Sequence, residues 1–163
     1  SVSLPPGVPS RDPQSVEQLR TDAETITNFH PERIEAWRGA AETLCEPIDA
    51  ESEGQLDAAL DVERGLRERT SKAASETELV RRATRAITAT DGSAWTDAYP
   101  EIERLTLVGV SSLSAPHADL VHSLLLATSL EIHVHFRRGT GEFLRDRTPA
   151  LLDIAGPGRE VFE

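Results

Sequence analysis

Residues 104–136 read RLTLVGVSSLSAPHADLVHSLLLATSLEIHVHF, and their order of patterns decides the fold. An apolar run is followed by a Ser-rich turn, an amphipathic helix and a second run that alternates strictly. This is a β-α-β order. A crossover of this length joins parallel neighbours, because a tight hairpin cannot. In the first run Leu105, Leu107 and Gly109 face one way and Thr106, Val108 and Val110 the other. With apolar residues on both sides, the expectation is a strand covered on both faces. The second run sets Leu130, Ile132, Val134 and Phe136 against Glu131, His133 and His135, so one of its faces is far more polar. Ser114 is placed to cap the intervening helix, which carries Leu120, Val121, Leu124 and Leu125.

Upstream the period is helical. Pro5, Pro6, Pro9 and Pro13 make residues 1–14 an extended arm. From Ser15 the residues Val16, Leu19, Ala23, Ile26 and Phe29 line one face. His30-Pro31 ends that helix and opens a second through Ile34, Trp37, Ala41 and Leu44. A third is expected from about Glu53 to Arg69 with Leu56, Leu60 and Leu66 inward. The fourth opens on a capping box at Ser75–Glu78 and turns Leu79, Ala83, Ala86 and Ile87 inward. Trp95 and Tyr99 lie one turn apart in a short element that Pro100 closes. After Arg137-Arg138-Gly139 a last helix is expected from Thr140, interrupted at Pro149 and resuming through Leu151, Leu152 and Ile154. The fold class is therefore α/β: a helical subdomain over 15–100, then a βαβ parallel-sheet unit over 101–163, a partial P-loop-type fold. The chain opens without Met and ends on Val161-Phe162-Glu163, which reads as the start of another strand; the expectation is a segment of a longer polypeptide.

Composition narrows the setting. Of 163 residues, 28 are acidic and 17 basic, for a formal net charge of -11, and Lys72 is the one lysine. An acidic surface with arginine in place of lysine suits a protein that must stay hydrated in molar salt, where surface charges are screened within about 3 Å. The reading is a halophile's cytoplasmic protein. Cys45 is the only cysteine, which excludes an internal disulfide and a cysteine zinc site. No apolar run approaches the ~18 residues a membrane span requires.

Candidate sites follow from residue type and spacing. His133 and His135 share one face of a strand, and with Asp119, or His117 and His122, they could present ligands to zinc, giving a small metal-dependent hydrolase as one reading. Arg137 and Arg138 before Gly139-Thr140-Gly141 could hold a phosphate with the amides of a helix start. Arg81, Arg82 and Arg85 form a second basic patch, alternatively a salt-bridged face beside Glu76 and Glu78. There is no Walker A loop and no nucleophile elbow. The isolated chain is not expected to be an enzyme. An acidic protein-interaction domain is a further alternative.

With these residues laid out, Ile102–Pro116 (IERLTLVGVSSLSAP), the apolar helix after it and the strand EIHVHF resemble a segment of the AddB-like proteins. These are inactivated helicase-like subunits of helicase-nucleases, related to UvrD-like superfamily 1 helicases. The resemblance puts Val108-Gly109 where active relatives carry a magnesium-binding Asp-Glu pair, and Leu113–Pro116, with Ser114 and Pro116, on the following motif. It implies that metal binding and ATP hydrolysis are lost at that position, that this segment holds no cofactor, and that ATP and Mg belong to the parent protein. Phe136–Gly139 echoes an aromatic-Arg-Gly turn, while the sensing Gln is missing. The helical block would correspond to an accessory insertion. The implied role is a non-catalytic, DNA-tracking segment of a haloarchaeal DNA-repair protein, with DNA reached through the parent, phosphates met by Arg137, Arg138, Arg81, Arg82 and Arg85, and other domains or a helicase-nuclease subunit as partners.

Overall fold

The computed structural model describes residues 13–43, 50–69 and 74–163. They form α1 (Pro13–Thr27), α2 (Pro31–Thr43), α3 (Ala50–Arg69), α4 (Glu76–Ala89), α5 (Ser93–Ala98), β1 (Arg104–Val110), α6 (Ala115–Ala127), β2 (Glu131–Phe136) and α7 (Gly141–Leu152). The fold is α/β, mostly helical with one parallel βαβ unit. It divides into two compact units, one of residues 1–74 with 160–163, the other of residues 75–159. The helices α4 and α5 thus group with the βαβ unit, whereas the sequence reading set them among the helices in front of it. Ala41 and Leu44, read as part of the inner face of the second helix, lie outside the described side chains, as does the extended arm up to residue 12.

In the first unit α1 packs on α2 and α3, around Ala23, Phe29, Ile34, Leu56 and Leu60, with Trp37, Val161 and Phe162 against them. The expected α1 stripe holds at Val16 and Ala23 but not at Ile26, which is 55% exposed. Phe29 reaches the core from beyond the helix end: Asn28 and Phe29 both take left-handed backbone, φ 50° and 55°. Such a conformation is costly for a bulky side chain. It persists because Thr27, Asn28, Phe29 and His30 are all buried, and because Thr27 Oγ1 accepts the Phe29 amide at 3.0 Å. Residues Val161–Glu163 do not open a strand; they form a turn whose Val161 amide donates to the Phe29 carbonyl at 3.0 Å.

In the second unit the expected start of α4 forms, with the serine half of the capping box: Ser75 is the N-cap and its hydroxyl accepts the Glu78 amide at 3.1 Å, while the Glu78 carboxylate turns to arginines. The inner face of α4 differs from the expectation. Arg81, Thr84 and Ile87 are buried, while Leu79 is 57% exposed and Ala83 and Ala86 are exposed. The reason lies in what meets the helix. α4 packs on α6, which turns small residues, Ala115, Ala118 and Ser123, inward. The Gly156–Gly158 turn closes on the same face: Gly158, with φ +87°, sits so near Thr84 that a Cβ there would lie 3.0 Å from Thr84 Cγ2. The Thr84 hydroxyl stays satisfied by the Val80 carbonyl at 3.0 Å, so burying it costs little.

Strands β1 and β2 are parallel neighbours, paired Arg104 with Glu131, Leu105 with Ile132, Thr106 with His133, Leu107 with Val134 and Val108 with His135. A bulge between Val108 and Val110 then sets Val110 opposite Phe136. Gly109 supplies it, at φ +73°, a value that only glycine takes without strain. One face of the pair is covered: Leu105 and Ile132 pack with Leu124 and Leu120 of α6, Ile87 and Trp95. The other face is not, since Val108 is 77% exposed; the expectation of a strand buried on both sides does not hold. The short element α5 forms before Pro100 as read but ends at Ala98, with Tyr99 its C-cap and the Tyr99 ring centroid 4.7 Å from that of Trp95, inclined at 44°. The last helix runs through Pro149 without a break and ends at Leu152, leaving Ile154 outside.

Candidate nucleic-acid interface

The C-terminal ends of the two strands are where an open parallel sheet presents ligand-binding groups. There the Arg137 amide donates to the Val110 carbonyl at 2.8 Å, so the bulge at Gly109 sets where Arg137 leaves the sheet. The chain then makes a four-residue turn. The Thr140 amide donates to the Arg137 carbonyl at 3.1 Å, with Gly139 left-handed at φ +91°, and α7 begins. Thr140 is the N-cap, but its hydroxyl donates to the Arg137 carbonyl at 2.8 Å instead of accepting a helix amide. Arg137 and Arg138 are both exposed on this turn, and among the described residues neither makes an ion pair. Glu142 in the first turn of α7 is the acidic residue nearest the helix start.

The second basic group is arranged quite differently. Arg81 is buried, its side chain 3% exposed, and lies 3.8 Å from Glu78. Arg82 and Arg85 reach the same carboxylate at 2.9 and 3.1 Å. Three guanidinium groups thus converge on Glu78, and the alternative reading of a salt-bridged face describes them. Arg81 does not share a solvent-facing surface with Arg82 and Arg85, because the α4–α6 packing turns it inward.

The histidine pair lies on the open face of the sheet. His133 Nε2 is 2.9 Å from Glu131 Oε1, and Arg104 meets Glu131 Oε2 at 2.7 Å. The hydrogen bond from His133 and then that from Arg104 hold the Glu131 carboxyl below the usual carboxylate range. Asp119 sits elsewhere, fully buried on the inner side of α6, on the covered side of the sheet. The three proposed zinc ligands therefore do not converge, and among the described residues no group of three or more His, Cys, Asp or Glu could hold a metal ion. His117 is tied to Ser114, whose hydroxyl lies 2.7 Å from its Nδ1; Ser114 is the N-cap of α6 but its side chain caps no amide. Pro116 opens the helix from a buried position. Val108 and Gly109 stand at the strand end, the first exposed and the second bulged.

What sequence reasoning missed here is the coupling of Gly109 to Arg137. Its only trace is a glycine one residue before the end of an otherwise apolar strand, a pattern that often marks a bulge. No helix among the described residues is long and apolar enough to cross a membrane. No curated protein and no solved structure matches the chain. The model of the halobacterial UvrD-like protein family matches residues 1–163, so this chain belongs to that family of helicase-related proteins.

Proposed function

We propose that the chain is a non-catalytic, DNA-tracking segment of a haloarchaeal helicase-nuclease of the AddB-like kind, acting in DNA repair in the cytoplasm. It meets the DNA backbone through the basic turn at Arg137 and Arg138. The observation that carries this reading is the contrast between two arginine groups. Arg81, Arg82 and Arg85 are engaged by Glu78, whereas Arg137 and Arg138 are exposed at the carboxyl end of a parallel strand, beside a helix start. Guanidinium groups so placed suit phosphate oxygens, which position a strand without reading its sequence. On the AddB-like resemblance, Val108 and Gly109 would take the place of a magnesium-binding carboxylate pair, and an exposed valine beside a bulged glycine there supports a role without ATP hydrolysis in this segment. ATP and Mg would then be handled elsewhere in the parent protein, with a helicase-nuclease subunit as partner.

The test is binding of labelled single-stranded DNA over a salt series. Replacing Arg137 and Arg138 together with alanine should weaken binding uniformly across sequences. It should also lower the slope of log K against log salt by about 1.4, on the order of 0.7 per phosphate contact. Replacing Arg82 and Arg85 should leave the slope where it was. An unchanged slope in the Arg137/Arg138 variant would overturn the assignment.

A further inference from the structure

Phe143 stands on the first turn of α7 and faces outward. Its neighbour Leu144 takes the inward place and is buried, where α7 packs on α6; Phe143 lies about 100° round the helix from it and is 59% exposed. Of the four phenylalanines, Phe29 is buried, Phe136 and Phe162 are half-buried, and Phe143 alone is exposed. One turn further on, the guanidinium carbon of Arg147 lies over its ring, 4.3 Å from the centre. Among the described residues Arg147 makes no ion pair. One face of the ring is thus held under a cation, and the other is open.

The charge around the ring runs against that of the chain. Residues 137–147 carry Arg137, Arg138, Arg145 and Arg147 against Glu142 and Asp146, in a protein of formal net charge -11. Arg145 leans toward Asp146 at 4.0 Å; the other three arginines are not engaged by carboxylates among the described residues. Such a surface fits a polyanion. An acidic peptide would satisfy the arginines alone, whereas a nucleic acid adds a flat π face for each phosphate. The base must be unpaired to use the ring, because a duplex offers only base edges in its grooves. In the molar salt that the charge balance suits, screening confines phosphate contacts to within about 3 Å. Apolar contact between a ring and a base is not screened.

We propose that Phe143, backed by Arg147, is a stacking platform for an unpaired base of a single strand whose phosphates meet Arg137 and Arg138. This rests on the reading of the Arg137-Arg138 turn as a phosphate contact and adds a discrimination to it: the platform selects single strand over duplex. It is tolerant of sequence, since every base has a π face. The guanidinium on the rear face holds the ring in place and adds a cation to the stack.

The test uses the full chain with three fluorescein-labelled probes, read by anisotropy over a salt series: oligothymidylate, a strand of equal length made of abasic sites, and the corresponding duplex. Phe143→Ala should weaken oligothymidylate binding about tenfold, the scale of one stacked base. The slope of log K against log salt should not change, nor should binding of the abasic strand or the duplex. Phe143→Leu, apolar but without a π face, should lose as much, and Phe143→Trp should restore the native affinity. The ring lies outside the core, so melting temperatures should match. Native affinity in Phe143→Ala with the salt slope intact overturns the platform and leaves the Arg137/Arg138 reading standing. A Phe143→Ala loss beside an unchanged slope in the Arg137/Arg138 variant supports the stacked base and overturns the phosphate assignment. An equal loss on the abasic strand, or competition by poly-glutamate as effective as by oligothymidylate, would also overturn the platform.

Discussion

Arg104 and Glu131 face each other at the first paired position of β1 and β2, with Nη2 of the one 2.7 Å from Oε2 of the other and Nε at 2.8 Å. Glu131 also reaches His133, two residues on along its own strand. One carboxylate therefore ties two strands together on the open face and engages both a guanidinium and an imidazole. A carboxyl whose folded pKa is depressed contributes stability above its unfolded value, and that contribution is lost as pH falls through the folded one. The Glu131 carboxyl, followed by NMR, should titrate below the ordinary value of 4.5. His133→Ala and Arg104→Ala should each raise its midpoint, since each removes a hydrogen bond that holds it down. A midpoint at or above the ordinary value in the native chain would show that the network does not persist in solution.

Gly92 and Gly109 both take positive φ, +84° and +73°, but their surroundings differ. A Cβ on Gly92 would lie 2.0 Å from the Ala127 carbonyl oxygen, whereas none of the described neighbours comes within 4 Å of one on Gly109. Gly109→Ala should therefore cost only the left-handed backbone penalty, about 1–2 kcal/mol. Gly92→Ala adds a clash with backbone that cannot swing away, and should cost at least about 3 kcal/mol. Thermal melts of the two variants check the order; similar losses would contradict it.

Arg67 holds two nearly buried carboxylates, Glu63 and Glu160, whose side chains are 8% and 3% exposed. Arg67→Ala should destabilise the first unit by about 3 kcal/mol, because breaking a buried pair strands the charge left behind. Arg67→Lys keeps the charge but loses the fork, and should recover part of that loss. Denaturant unfolding followed at Trp37, which packs against this core, reads the effect. An alanine variant as stable as the native chain would mean that the carboxylates find other partners.

Two neighbouring positions on α6 provide a further contrast. Leu124 is 1% exposed and Leu126 is 66% exposed. Leu124→Ala should cost about 2–5 kcal/mol through lost transfer energy and the cavity left, while Leu126→Ala should stay within about 0.5 kcal/mol. Chemical denaturation of both variants measures the difference directly.

Replacing Arg81 with alanine separates a structural from a DNA-contacting role. Its buried position on α4 makes the expected outcome a loss of stability of about 1–3 kcal/mol, with DNA binding per folded molecule unchanged. A preserved melting temperature together with weaker DNA binding would reverse that assignment.

How far the sequence could be read is clearest at α4. Its start was legible, because Ser75 and Glu78 interact within one turn and need no distant partner. Its inner face was not. Periodicity picks out Leu79, Ala83, Ala86 and Ile87, of which only Ile87 is buried; Arg81 and Thr84 complete the buried face, chosen by the small residues of α6 and by Gly158. The same holds at the tail, where three residues that read as a strand are a turn held by Phe29 and Arg67, far away in sequence.

By itself, then, the sequence determined the element order, the parallel βαβ unit and the halophilic charge balance, since capping, alternation and composition are local properties of the chain. Only the tertiary structure decided which arginines are engaged and which are not, that Asp119 lies apart from His133 and His135, and that Glu160 belongs with Arg67. Those outcomes depend on which surfaces meet. Burial and ion pairing are settled between residues tens of positions apart, and the bulge at Gly109 carries its effect to Arg137 through a single hydrogen bond across the sheet.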